Sequence, residues 1–119
     1  MLIFGHKDIE NEKFYSISNI AEISSTPPNS TIFCKFNIEI LKFAKLNSIS
    51  MAVEINTIQE AIFSEQFGVK YIISDLRTSS EIQKIADNYL YDSKILAWIE
   101  DISEIEKVAK LQIDGVILK

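Results

Sequence analysis

Polar and charged side chains follow each of a series of short apolar runs in this chain: Asn37, Glu54, Asp75, Glu100, Asp101 and Lys119. Carboxylates converging from neighbouring strand ends can bind a divalent cation, act as general bases or orient a nucleophile, and an ammonium among them can hold a phosphate or carboxylate. Glu54, Asp75, Glu100 and Lys119 are therefore the candidate ligand-binding residues, and Lys35 is a further cation at a strand end. Arg77, the one arginine, joins them because it precedes Thr78, Ser79 and Ser80, where backbone N–H groups, hydroxyls and a guanidinium can together hold an anion. Each residue also has a plain structural role available. Charge at a strand end is often merely solvated, and Thr78–Glu81 reads as a helix capping box beside a surface arginine.

Other chemistries have less to build on. The glycines are Gly5, Gly68 and Gly115, so neither a Walker loop nor a GxGxxG dinucleotide turn is present. No GxSxG elbow supplies a hydrolase serine. His6, the one histidine, reads as a surface or strand-end side chain, and Trp98 and the tyrosines Tyr89 and Tyr91 read as packing groups. Cys34, the one cysteine, lies inside an apolar strand with no cation nearby in sequence to activate it, and it reads as a small buried hydrophobe. No catalytic residue is assigned, the metal is left unknown and no cofactor is expected.

The elements that must position these residues follow from periodicity. Apolar runs at 31–36, 50–55, 70–75, 94–100 and 115–119 recur roughly every twenty residues, each leading into an amphipathic stretch, which is the cadence of βα units on a parallel sheet. Helices are expected over 38–47, capped by Asn37; over 58–67, opened by the Thr57–Glu60 box and closed at Gly68; over 82–91, after the Thr78–Glu81 box; and over 105–113, after Asp101–Glu104. Residues 1–30 stand outside the cadence. Two short strands, at 1–5 and 13–17, and a helical turn at 18–23 precede the turn-forming SSTPPNST at 24–31. The expected fold is a single α/β domain over 1–119: a three-layer, flavodoxin-like sandwich with a mainly parallel five-stranded sheet in residues 31–119, to which the 1–30 extension adds one or two edge strands.

A chain of 119 residues with 47% apolar content is long enough to bury a core without disulfides or metal. The net charge of −5, spread over both halves without a basic stripe, disfavours nucleic acid and anionic membrane surfaces as partners. No signal-peptide or membrane-span pattern stands out, so a cytoplasmic location is expected.

Residues 31–119 resemble the receiver domain of bacterial response regulators. YIISDL (Tyr71–Leu76) is similar to the phosphoacceptor strand and DGVILK (Asp114–Lys119) to the last strand with its site lysine. The resemblance implies a phosphoacceptor position at Asp75 and a phosphate-contacting position at Lys119. The chain departs from that family where an acidic pair should follow the first strand, since Lys35, Phe36 and Asn37 stand there, and where a hydroxyl should close the fourth, since Ala97 and Trp98 do. The implied protein is a degenerate receiver. AVEIN (Ala52–Asn56) followed by YIISDLRT (Tyr71–Thr78) also resembles two consecutive strands of phosphate-binding (β/α)8 barrels, which implies that Glu54 points into a barrel mouth. A whole barrel takes about 250 residues, so that likeness implies a dimer of half-barrels.

Two functions are expected from these residues. One is a small noncatalytic interaction or regulatory domain with a protein partner or a second copy of itself. The other is an enzyme or ligand-binding domain that takes a small phosphorylated or anionic metabolite at the strand-end carboxylates and Lys119. A pocket at the strand ends with converging side chains favours the second; a filled rim with apolar surface elsewhere favours the first.

Overall fold

Each helix begins where a short polar side chain can receive the unpaired N–H groups of its first turn. In the computed structural model, which describes residues 1–119, α1 (Ile38–Leu46) opens with the Asn37 side chain accepting the Ile40 N–H, and α2 (Ile58–Gln66) with Thr57 accepting that of Glu60. Asp101 and Glu104 form a reciprocal capping box at a 3-10 turn, Ile102–Glu104, which runs into α4 (Ile105–Lys110). The third helix differs from expectation. α3 (Leu76–Tyr89) begins six residues earlier, because Asp75 itself accepts the Thr78 N–H at 2.8 Å and caps it, so Thr78–Glu81 lies within the first turns.

The strands are β1 (Leu2–Phe4), β2 (Phe14–Ser16), β3 (Thr31–Lys35), β4 (Met51–Glu54), β5 (Tyr71–Ser74), β6 (Lys94–Ile99) and β7 (Gly115–Leu118), and a second 3-10 turn, Ile20–Ser25, joins β2 to β3. All seven form one wholly parallel sheet in the order β1-β7-β6-β5-β4-β3-β2. The two expected strands of the N-terminal extension are present and occupy opposite edges.

The sheet corrects the expected five strands and three layers. From β2 to β7 every new strand is added on the same side of the last one. Right-handed crossovers then put every helix on one face, whereas a three-layer sandwich needs the direction of winding to reverse. Buried helix residues such as Ile40, Leu41, Ala44, Ala61, Ile82, Ala86 and Val108 accordingly share one core with Ile32, Cys34, Val53, Ile72, Ile95, Ala97 and Val116 of the strands. The other face carries Phe4, Ala52, Tyr71, Ile73, Leu96 and Ile117, with no helical residue among them.

That second face is concave. Phe4 of β1 and Phe14 of β2 stand at opposite edges of the sheet, where a flat arrangement would separate them by about 29 Å. Their ring centroids are 5.0 Å apart, and each lies within 5.3 Å of Tyr71 on the central strand β5. The sheet is thus curled into a half-barrel, and the lower part of its hollow is filled by Phe4, Phe14 and Tyr71. Gly115 permits this closure: a Cβ there would lie 2.6 Å from the Leu2 carbonyl oxygen and 2.9 Å from Leu96 Cδ2. The β1–β2 connection must cross from the carboxyl end of one edge strand to the amino end of the other. Residues 5–13 make that crossing over the open side of the hollow, starting at Gly5, whose φ of +85° suits glycine. No helix is long and apolar enough to cross a membrane.

Candidate functional site

The concave face sets which strand-end side chains meet. Alternation along each strand places Glu54 on the same side as Ala52, Trp98 on the side of Leu96, and Lys119 on the side of Ile117, so all three rise from the hollow toward its carboxyl-end rim. Glu54, Asp75 and Lys119 line one cavity of about 410 Å³, together with Ile55, Asn56, Ser74, Thr78 and Trp98. Three of the residues singled out from sequence, at the carboxyl ends of β4, β5 and β7, therefore converge.

Their chemistry is partly engaged. The Trp98 indole N–H donates to Glu54 Oε1 at 2.9 Å, which fixes both the carboxylate and the ring. Asp75 Oδ1 accepts the Thr78 backbone N–H, and that hydrogen bond, with the Thr78 hydroxyl next and a smaller contribution from Arg77, holds the Asp75 carboxyl below the usual carboxylate range. Lys119 Nζ lies 3.8 Å from Glu100 Oε1, a loose and exposed pair. Glu100 does not line this cavity, and its backbone N–H donates to Glu104 Oε2.

Arg77 stands apart from this group. Its side chain is 92% exposed and pairs loosely with Glu81 at 3.9 Å, one helical turn along α3. Arg77 does not line the cavity that holds Thr78, and the next hydroxyl, that of Ser79, is turned into the core. Ser79 is fully buried, its hydroxyl 2.6 Å from that of Ser74 and donating to the Leu96 carbonyl oxygen, so it ties α3 to β5 and β6. Cys34 is buried on the helix-covered face, where burial pushes its thiol up to about 11 and leaves it a poor nucleophile. No group of three or more His, Cys, Asp or Glu side chains comes together in a metal-binding set.

A second, larger cavity of about 900 Å³ adjoins the first across Trp98 and Lys119, which line both. Its floor is the upper part of the hollow, and its roof is the crossing segment, including His6, Lys7, Asp8 and Glu10. His6 Nδ1 accepts the Asp8 N–H within that segment. The far end of the roof is fastened at the opposite, amino end of the half-barrel. There Glu12 accepts hydrogen bonds from Thr31 Oγ1, from Lys70 Nζ at 2.8 Å and from the Tyr71 hydroxyl at 2.7 Å. Partial burial alone would raise the Glu12 carboxyl, but these three donors outweigh it and hold it below its ordinary value. Asn11 adds a bond to the Ile3 carbonyl oxygen on the outer edge of β1.

Sequence reasoning missed this roof and its fastening. Glu12 and Tyr71 are 59 residues apart, and neither belongs to a recognisable spacing. The available signal was small: a charged stretch between two very short strands that had to be neighbours of something. No protein-family model matches the chain, and no curated protein does.

Proposed function

We propose that this chain is a noncatalytic ligand-binding domain that takes a small phosphorylated or otherwise anionic metabolite at the carboxyl-end rim of the half-barrel. The observation that carries this reading is the cavity to which three separate strands bring Lys119, Glu54 and Asp75. Lys119 supplies the positive charge for the anion. Glu54 and Asp75 accept hydrogen bonds from hydroxyl or amino groups elsewhere on the ligand. The noncatalytic assignment follows from the engagements just described: the thiol is sealed in the core, Asp75 caps a helix, and His6 is tied to its own segment. A regulatory role, in which the bound metabolite alters contacts with a protein partner, joins the two functions expected from sequence.

Backbone and indole NMR spectra recorded with inorganic phosphate and short organic phosphates test this reading. The single Trp98 N–H, Asp75 and Lys119 are expected to shift together, and Lys119→Ala is expected to remove the response. No shift at millimolar ligand overturns the proposal. A covalent phosphoryl adduct on Asp75 after exposure to a small phosphodonor would favour the receiver-like alternative instead.

Self-association remains the second reading, favoured by one observation. Leu46, Tyr89 and Leu90, at the carboxyl ends of α1 and α3, are 85%, 72% and 83% exposed. Light scattering at micromolar concentration that returns a mass near 13.6 kDa counts against a homodimer.

A further inference from the structure

The larger cavity carries apolar surface that the fold itself does not cover. Phe4 and Tyr71, deeper in the hollow, are buried, but Phe14, Phe33 and Trp98 are only half-buried and face this space. The Trp98 ring is held in place, its N–H on Glu54 and Phe33 edge-on to it with ring centroids 6.0 Å apart. A preformed wall of rigid aromatic groups in a space of this size suits a small organic molecule with a flat apolar body. The charges around it are mixed: Lys7, Lys13, Lys119 and His6 against Asp8, Glu10 and Glu12. Glu12 is already occupied by Lys70, Tyr71 and Thr31, and the only partner of Lys119 is Glu100, at 3.8 Å. Among the lining residues, Lys119 is the cation placed where the aromatic cavity meets the strand-end cavity.

We infer that the cavity beneath residues 5–13 takes the apolar ring of an organic acid, with Phe33 and Trp98 against the ring and Lys119 on the acidic group. This deepens the proposed function by naming the body of the ligand, and it rests on that reading for the role of Lys119.

Three probes separate the parts: 2-naphthoate, which has ring and acid; 2-naphthamide, which has the ring alone; and inorganic phosphate, which has the anion alone. Calorimetry and the Trp98 indole N–H shift are read on the full chain. The expected result is that 2-naphthoate binds roughly tenfold or more tightly than 2-naphthamide, as a charged hydrogen bond warrants, with shifts at Phe33, Trp98 and Lys119. Lys119→Met, which keeps the aliphatic stem of an exposed side chain, is expected to bring the two naphthyl compounds to equal affinity. Equal affinity in the unaltered protein, or naphthoate shifts that avoid Phe33 and Trp98, overturns the inference. Binding of phosphate at Lys119 with neither naphthyl compound bound overturns the inference and leaves the proposed function standing. If none of the three probes binds, both fall.

Discussion

The two faces of the sheet are built by different means. On the convex face, residues from every strand between β3 and β7 meet helix residues, and the whole layer repeats the same unit of strand, capped helix and return. On the concave face nothing repeats: three aromatic rings from β1, β2 and β5 close the lower hollow, and one irregular segment covers the upper part. The helices share one continuous core with their face, whereas the nine-residue crossing roofs a cavity of about 900 Å³. The larger rim cavity therefore lies under the one irregular segment, and the smaller adjoins it at strand ends that the repeat itself supplies.

Substitutions on the two faces sharpen this contrast. Ile72, fully buried among the helices, is expected to cost about 2–5 kcal/mol on replacement by alanine, while Phe33→Ala, which removes a ring that already borders a cavity, is expected to cost about half as much for a larger loss of volume. Chemical denaturation of both variants checks the order, and equal losses would mean that the concave side is packed as tightly as the convex one. Gly115→Ala addresses the closure of the hollow. Its methyl group meets backbone on β1, so an expected cost of about 1–3 kcal/mol comes with weakened protection of the β1 amides in hydrogen exchange.

Glu12→Gln loosens the fastening of the roof and is expected to cost about 1–2 kcal/mol near neutral pH. The pH profile identifies the cause. Because the folded Glu12 carboxyl is held low, its stabilisation is present above the ordinary carboxylate value, about 4.3, and is lost as the pH falls through the folded value. Lys70 is shifted the other way, raised chiefly by its hydrogen bond to Glu12. Its contribution is present below the ordinary lysine value, about 10.4, and is lost as the pH rises through the folded one. The stability difference between wild type and Glu12→Gln should therefore stay level from about pH 5 to about pH 10 and shrink at both ends. A difference independent of pH would assign Glu12 a packing role only. The smallest contrast lies on α3: Asp75→Ala removes a cap and is expected to cost about 1 kcal/mol, and Arg77→Ala, an exposed side chain in a loose pair, less than about 0.5 kcal/mol.

What the sequence made legible divides along the same line. Strands β3–β7 fall within the expected apolar runs, and Asn37, Thr57 and Asp101 cap where expected, because hydrophobic alternation and N-cap chemistry are local. Gly68 is left-handed just past α2, as its type suggests. Past the other helices Ser48, Leu90 and Gln112 take left-handed backbone conformations without being glycine, and Gly115, read from its type as the end of the last helix, instead begins β7. The count of seven strands was harder to read because β1 and β2 have three residues each and rely on partners far along the chain. The convergence of Glu54, Asp75 and Lys119 followed from parallel strands and alternation. The Glu12 cluster, which depends on the path of an irregular segment, did not.

The placement of β1 beside β7 has a kinetic consequence. Leu2 pairs with Gly115, so β1 finds its partner only after the intervening units from β3 to β6 have been made, and until then its hydrogen-bonding edge has no strand beside it. Loop-closure entropy makes such a pairing slow to form even in the finished chain. The pairing that completes this side of the hollow thus spans the longest stretch of chain of any strand pair in the sheet and carries the largest loop-closure cost among them.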